Sequence, residues 1–575
     1  MKRIYTPDAA LLTMLCHDQP PLANCAFLPY SESSRGSWLT AAVGHGQSPP
    51  SLLQFDLSSP ASKAETMKEF GAWFVDEAGK CNYSAITLIT QGDGIKLMKE
   101  KVAYSSLKNV VSDFNSGIFD YLQRIPIVGQ YFTRALNECS KTQRENYEKE
   151  WNTVEAAFNL VVQQMRPKSQ AEQKVVNFMQ PENLKERLDL QISSDRAADD
   201  NEIMNLARDI LNFSVKSGHP FFMNTLSHGT DPYGYAAVLL EEAINNNMVT
   251  FEMMPSLTII ENHVIDVFGK LIGWERGYGT FCPGGSYSGM YGISLARHNR
   301  DPNIKHSGMF GSKRFIIFAT DMSHFSVTKA AAFMGFGTSS VVKLPTDDNG
   351  GMIVSELIKS IEKFESEGCI PLMVWCTSGT TVLNGYDPLE SVADICKKYG
   401  LWLHVDAALG GWALFSREHR SLISGIERAD SVSWCWHKIL GAPFQTSLFL
   451  TNHKDLMMES HSCDAKYLFA DKYYDSSFDS GDASAQCGRK GDALKVFLIL
   501  KARGTDYLGE LVDQTVNSAQ SFASKIGKDP NFKLVLNDKQ NQGTTVCFWV
   551  VPPSFKSNEK DFTNHIAPMT REIKK

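Results

Sequence analysis

Residues 401–408 read Leu-Trp-Leu-His-Val-Asp-Ala-Ala, and residues 433–438 read Ser-Trp-Cys-Trp-His-Lys. Each is a short apolar run that closes on a charged side chain, Asp406 in the first and Lys438 in the second. Such runs read as strands covered on both faces. An aspartate at the end of so apolar a strand needs a cation or a donor beside it, because burying a lone carboxylate is costly. Magnesium is one such partner, but no second carboxylate stands at ligand spacing. A lysine at a neighbouring strand end offers an amine able to form an imine. Taken alone, it reads equally as a lysine snorkelling from a sheet edge.

The segments around these two runs agree with a sheet. Phe315–Ala319, Ser340–Leu344, Leu372–Cys376 and Trp402–Val405 are expected strands. They alternate with expected helices at Ala236–Asn246, Leu257–Leu271, Val327–Met334, Val354–Glu367 and Leu389–Tyr399. Repeated strand–helix order implies an α/β fold with a mostly parallel sheet and right-handed crossovers. Ligands of such sheets bind at the carboxyl ends of the strands. Helices are also expected at 203–215, 491–503 and 508–525, and two more strands at Phe532–Val535 and Thr545–Val550.

The chain has 575 residues, too many for one core, with 43% hydrophobic and 21% charged residues, as a globular protein has. Its net charge of −7 gives no reason to expect nucleic acid or an anionic membrane as a partner. Twelve cysteines are too sparse for a disulfide scaffold, which points to a reducing, cytoplasmic setting. No signal peptide or transmembrane segment is expected. The locally apolar stretch 118–134 reads as a buried helix–turn unit. Four divisions are expected: an irregular N-terminal arm over 1–100, a helical dimerisation segment over 101–230, a large domain over 231–503 with a lid near 460–485, and a partial C-terminal domain over 504–575.

Other polar motifs fall at strand ends. Phe281-Cys-Pro-Gly-Gly-Ser-Tyr-Ser leads into a helix, and glycines, hydroxyls and free N–H groups together make a phosphate cradle. It has neither the Walker lysine nor the spaced dinucleotide glycines. His324, in Met-Ser-His-Phe-Ser, is placed to lie over a ring, and Thr377, in Cys-Thr-Ser-Gly-Thr-Thr, to hydrogen-bond near it. Either one alone also fits a satisfied polar turn. Tyr467 sits in the charged, irregular stretch expected to act as a lid, where a tyrosine returns a proton to a carbanion. Arg489 is an ion-pairing or dimer-contact candidate. No metal site is expected. A buried carboxylate for a pyridine nitrogen and an amine for an imine are what pyridoxal 5'-phosphate (PLP) requires of a protein.

Taken in order, Ser217-Gly-His-Pro, Phe281-Cys-Pro-Gly-Gly-Ser, Ser378-Gly-Thr-Thr, His404-Val-Asp-Ala-Ala, His437-Lys438, Tyr467-Leu-Phe and Gln486-Cys-Gly-Arg closely resemble the PLP-dependent group II decarboxylases. The similarity runs from about residue 155 to 560, and the branch is that of glutamate decarboxylase and cysteine sulfinate decarboxylase. It implies a PLP-dependent transferase fold type I, aspartate aminotransferase-like large domain. A small α+β C-terminal domain, cut short here, and a homodimer with sites at the interface are implied as well. Lys438 is similar to the Schiff-base lysine, Asp406 to the partner of the pyridine nitrogen and His324 to the stacking histidine. Ser286 and Ser288 match phosphate-binding positions, and Thr377 and His437 cofactor-side positions. Tyr467 matches the lid tyrosine, and Asn224 and Thr225 the substrate-carboxylate position.

The activity implied is decarboxylation of an acidic L-amino acid, glutamate to 4-aminobutanoate and CO2 first. Cysteine sulfinate or aspartate as substrate is the alternative, and a catalytically impaired PLP-binding homologue with a structural or regulatory role is a third reading. The chain departs from the family pattern at Cys435-Trp436, usually Asn-Pro; at Leu409, usually Trp; and at Thr225, usually Gln. Trp436 is expected to add bulk beside Lys438. The family's arginine that clamps the substrate carboxylate lies in a C-terminal portion to which no residue here is assigned.

Overall fold

The computed structural model describes residues 151–551 except 167–171, 193–195, 223–225, 228, 464, 470–473 and 537–542, and before them only short strands between Ala9 and Ala103. The chain divides into two units, Met1–Arg166 with Phe178–Ser214, and Pro167–Asn177 with Val215–Lys575.

In the first unit the stretch expected to be an irregular arm contains paired strands. Trp38–Val43 runs antiparallel to Ser51–Asp56. These are brief apolar runs on either side of a segment rich in glycine and proline, a hairpin pattern that the surrounding serine and proline obscure in composition. The apolar stretch 118–134 lies outside the described residues. Residues 151–165 are helical, followed by Pro181–Arg187 and Asp200–Phe213. The last begins on a reciprocal cap. Asp199 accepts from the Glu202 N–H at 2.9 Å, and Glu202 accepts from the Asp199 N–H at 2.9 Å.

The second unit is built on seven strands: β1 Tyr278–Cys282, β2 Phe315–Thr320, β3 Val341–Leu344, β4 Ile370–Thr377, β5 Trp402–Asp406, β6 Ser431–Cys435 and β7 Ser447–Thr451. Their order in the sheet is β3-β2-β4-β5-β6-β7-β1. The strands from β3 to β6 are parallel, while β7 runs antiparallel to both β6 and β1. The reversal has a local cause. Only residues 436–446 separate β6 from β7, too few for a crossover helix, so the chain returns as a hairpin.

The longer helices of this unit are α1 Pro232–Ile244, α2 Pro255–Ile272, α3 Gly285–Arg300, α4 Ser326–Phe333, α5 Val354–Ser366, α6 Leu389–Tyr399 and α7 Ala493–Ile526. They cover the sheet on two sides. Alternate strand residues divide accordingly. Ile316, Phe318, Val374, Leu403, Val405 and Trp434 face the core built with α2, α5, α6 and α7. Phe315, Ile317, Met373, Trp375 and Trp402 face the core built with α3 and α4. Both faces are thus apolar, which is why the strands read as unbroken hydrophobic runs. Gly504 (φ 76°, ψ 166°) interrupts α7, and beyond it β8 Phe532–Leu534 pairs antiparallel with β9 Phe548–Val550. Among the described residues no helix is long and apolar enough to cross a membrane.

Candidate active site

The parallel register brings three polar residues to one level: the strand ends Thr377 of β4 and Asp406 of β5 side by side, and Asp406 beside Ser433 within β6. Side chains two residues apart share a face of a strand, so Trp402, His404 and Asp406 all point toward the α3 side. Helix α3 sits very close to them because its inner face is glycine. A Cβ added at Gly289 would lie 2.2 Å from Trp375, one at Gly292 2.7 Å from His404, and one at Gly285 2.9 Å from the Cys435 sulfur. These glycines recur at helical spacing, and that contact seats the start of α3 against the end of β6.

Asp406 is buried, and its carboxylate accepts the Ala408 N–H at 3.1 Å. Among the described residues it has no ion pair. Lys438 follows β6 in a turn, half-buried, and among the described residues it too makes no hydrogen bond or ion pair. The charges of Asp406 and Lys438 both act on His324 and on Cys435, so these four groups share one locality. Burial holds the His324 imidazole below its ordinary range, and Lys438 adds to the effect against Asp406. His324 lies in the turn between β2 and α4, its Nδ1 accepting the Ser326 N–H at 3.3 Å. Burial raises the Cys435 thiol, which lies 3.0 Å from the Ser447 hydroxyl.

Thr377 is held from two sides. Its hydroxyl donates to Ser323 at 3.2 Å, and its N–H donates to Asp387 at 2.7 Å. The second oxygen of Asp387 accepts the Met352 N–H at 2.7 Å. Burial pushes that carboxyl up to about 7, against the pull of the two N–H groups. Sequence reading passed over Asp387 because an aspartate before Pro388 at a helix start reads as a turn residue. Ser323 and Asp387 are the supports it missed. The only signal for either was adjacency to His324 and to the Ser-Gly-Thr-Thr turn.

Two expectations need correction. Ser288, expected to face a phosphate, is fully buried one turn into α3 and hydrogen-bonds Ser433 at 2.7 Å and the Leu448 carbonyl at 2.9 Å. Ser286, by contrast, is exposed in the first turn. Trp436, expected beside Lys438, points the other way. It stacks on Phe268 at 5.2 Å and packs against Trp434 and Phe415, fully buried in the α2–α7 core. The strand alternation that continues from β6 into the turn sends it there.

His437 is buried against its own hairpin, with Nδ1 between the Thr446 N–H at 3.1 Å and the Thr446 carbonyl at 2.9 Å. Arg489 forms a buried ion pair with Glu261 at 2.6 Å. Asn224, Thr225 and the Tyr467 side chain lie outside the described residues, though the Tyr467 backbone belongs to the helical turn Lys466–Phe469.

These surroundings fit PLP. A buried carboxylate with a single N–H donor leaves an oxygen for a pyridinium proton. A helix start with exposed Ser286 leaves N–H groups for a phosphate. An amine with no ion pair among the described residues stands nearby.

The family model described as "Pyridoxal-dependent decarboxylase conserved domain" matches residues 181–551. The cysteine sulfinic acid decarboxylase of Homo sapiens is 40% identical over 427 residues, covering 73% of this chain and 86% of that one. The acidic amino acid decarboxylase of Homo sapiens is 41% identical over 427 residues, covering 73% and 81%. The crystal structure of mouse CSAD superposes with a TM-score of 0.71 at 38% identity, covering 74% of this chain and 88% of that one.

Proposed function

The chain belongs to the pyridoxal-dependent decarboxylase family as a PLP-dependent amino-acid decarboxylase, and we propose that it acts on an acidic amino acid, cysteine sulfinate ahead of glutamate or aspartate. One observation carries the choice. The similar relatives named above are a cysteine sulfinic acid decarboxylase and an acidic amino acid decarboxylase, each about two-fifths identical. This reverses the order expected from motifs alone, which put glutamate first. The motifs are shared across the branch and do not separate its substrates.

PLP supplies a carbonyl for the substrate amine and a ring that receives the electrons released as the carboxylate leaves. The chain's own residues divide the remaining work. Asp406 is the proposed partner of the ring nitrogen, and its burial strengthens the hold on that proton. Lys438 is the proposed nucleophilic amine, with no ion pair among the described residues to compete for its Nζ. The start of α3, with Ser286, is proposed to take the phosphate. Thr377, fixed by Asp387 and Ser323, is proposed to bound the ring beside Asp406, and neutral His324 to cover it. Keeping His324 uncharged avoids a second cation next to Lys438. His437 is proposed to brace the lysine turn through Thr446 rather than to touch the cofactor. Tyr467 is proposed to return the proton to Cα, and Asn224 and Thr225 to meet the substrate carboxylate. A homodimer is part of the same reading, resting on the family resemblance.

The test is product analysis. Cofactor-saturated protein is incubated separately with cysteine sulfinate, glutamate and aspartate, and each amine is quantified. Faster release from cysteine sulfinate is expected. A glutamate rate equal to or above it would overturn the ordering, and no amine from any of the three would overturn the acidic substrate.

A further inference from the structure

Between α3 and the sheet runs a chain of hydrogen bonds that the chemistry above does not use. The Trp402 indole N–H donates to the Ser431 hydroxyl at 2.8 Å. Ser431 lies 2.8 Å from His404 Nδ1, and His404 Nε2 lies 3.1 Å from the Ser433 hydroxyl. Ser433 meets Ser288 at 2.7 Å, and Ser288 reaches the Leu448 carbonyl at 2.9 Å. All five side chains are buried. They join β5, β6, β7 and α3.

The donors set the direction of the chain. Ser288 donates to Ser433, and its proton is shared with the Leu448 carbonyl. The Ser433 proton is then left for His404 Nε2, so Nδ1 carries the imidazole proton and donates to Ser431. Ser431 also receives the Trp402 N–H. An imidazole that accepts on one nitrogen and donates from the other is uncharged.

We propose that this directed chain fixes the start of α3 against β5 and β6, making Ser433 and Ser288 positioning residues for the cofactor site and holding His404 as the neutral tautomer protonated on Nδ1. The role rests on the reading above that Asp406, Lys438 and the α3 start hold PLP. Ser433 is in register with Asp406, and Ser288 lies four residues past Gly284, where the cradle begins. A lost link therefore loosens the cradle relative to the carboxylate without touching either. Burial points the same way for His404, holding the imidazole down to about 3.

Two measurements test it. Nitrogen NMR on cofactor-free, histidine-labelled wild-type protein reads the tautomer directly. The expected result is protonation at Nδ1 alone, unchanged from about pH 5 to pH 8. Protonation at Nε2, or titration in that range, overturns the chain's direction whether or not the site assignment stands.

The second measurement compares Ser433→Thr with Ser433→Val, nearly equal in size but only one bearing a hydroxyl. PLP affinity, followed by quenching of tryptophan fluorescence, is expected to fall about tenfold in the valine variant, the loss of roughly one buried hydrogen bond. The threonine variant is expected to remain near wild type. Equal affinities in the two variants overturn the positioning role. Wild-type protein that takes up no PLP would instead refute the site assignment, with the tautomer still deciding the chain's direction.

Discussion

At the scale of single residues, the turn Cys435-Trp436-His437-Lys438 shows how alternation sorts neighbours into different roles. Cys435 faces α3 and the site, Trp436 faces the opposite core, and His437 folds back onto Thr446. The bulk of Trp436 is thus spent on packing. We expect Trp436→Ala to lower unfolding stability by about 3–5 kcal/mol, as for other buried aromatics cut to alanine. Denaturant titration measures this. A loss under about 1 kcal/mol would contradict the packing described, since even partial collapse of a tryptophan-sized cavity costs more.

At the scale of elements, the contact between α3 and the sheet governs the site. Its tightness depends on glycines at 285, 289 and 292, which the sequence displays at helical spacing but which composition alone reads as a loose, turn-prone stretch. We expect Gly289→Ala to destabilise the protein by about 1–3 kcal/mol through overpacking, because its methyl would stand 2.2 Å from Trp375 in a fully buried contact. PLP affinity should fall with it as the helix start moves outward. A variant with a wild-type thermal midpoint and affinity would show that α3 does not set the cradle. The buried Arg489–Glu261 pair performs a comparable task elsewhere, tying the segment before α7 to α2.

Across the unit that carries the sheet, burial of histidines sets the response to acid. His404 is held to about 3, and His437 and His461 to about 4, each chiefly by burial. The folded state therefore binds fewer protons at these rings than the unfolded chain does below about pH 6.5. Their stabilising share is whole above that value and shrinks as pH falls toward 4. Asp387, raised to about 7, works in the opposite sense, its share being whole below the ordinary carboxylate range and lost as pH rises through 7. Burial also lowers His298 and His324 and raises the Glu241 and Asp492 carboxyls, so five histidines oppose three carboxyls. The thermal midpoint of cofactor-free protein should drop as pH is lowered from about 6.5 to 4. His461→Gln, which keeps a donor and an acceptor for Ser294 and Ala483, should flatten the slope. A midpoint that rises over this range would contradict the account.

The amino-acid order alone determined the parallel α/β sheet, most element positions within a few residues, and the strand-end placement of Asp406, Thr377 and Lys438. Periodicity and unbroken apolar runs report burial on both faces directly, and a strand end is visible wherever such a run meets a charge. Only the tertiary structure decided that Ser288 is a link in the core, that Trp436 turns away from the lysine, that β7 doubles back, and that Asp387 supports Thr377. Those outcomes depend on which surfaces meet across α3, the sheet and the α2–α7 core. Contacts between residues far apart in the chain leave no local periodicity to read.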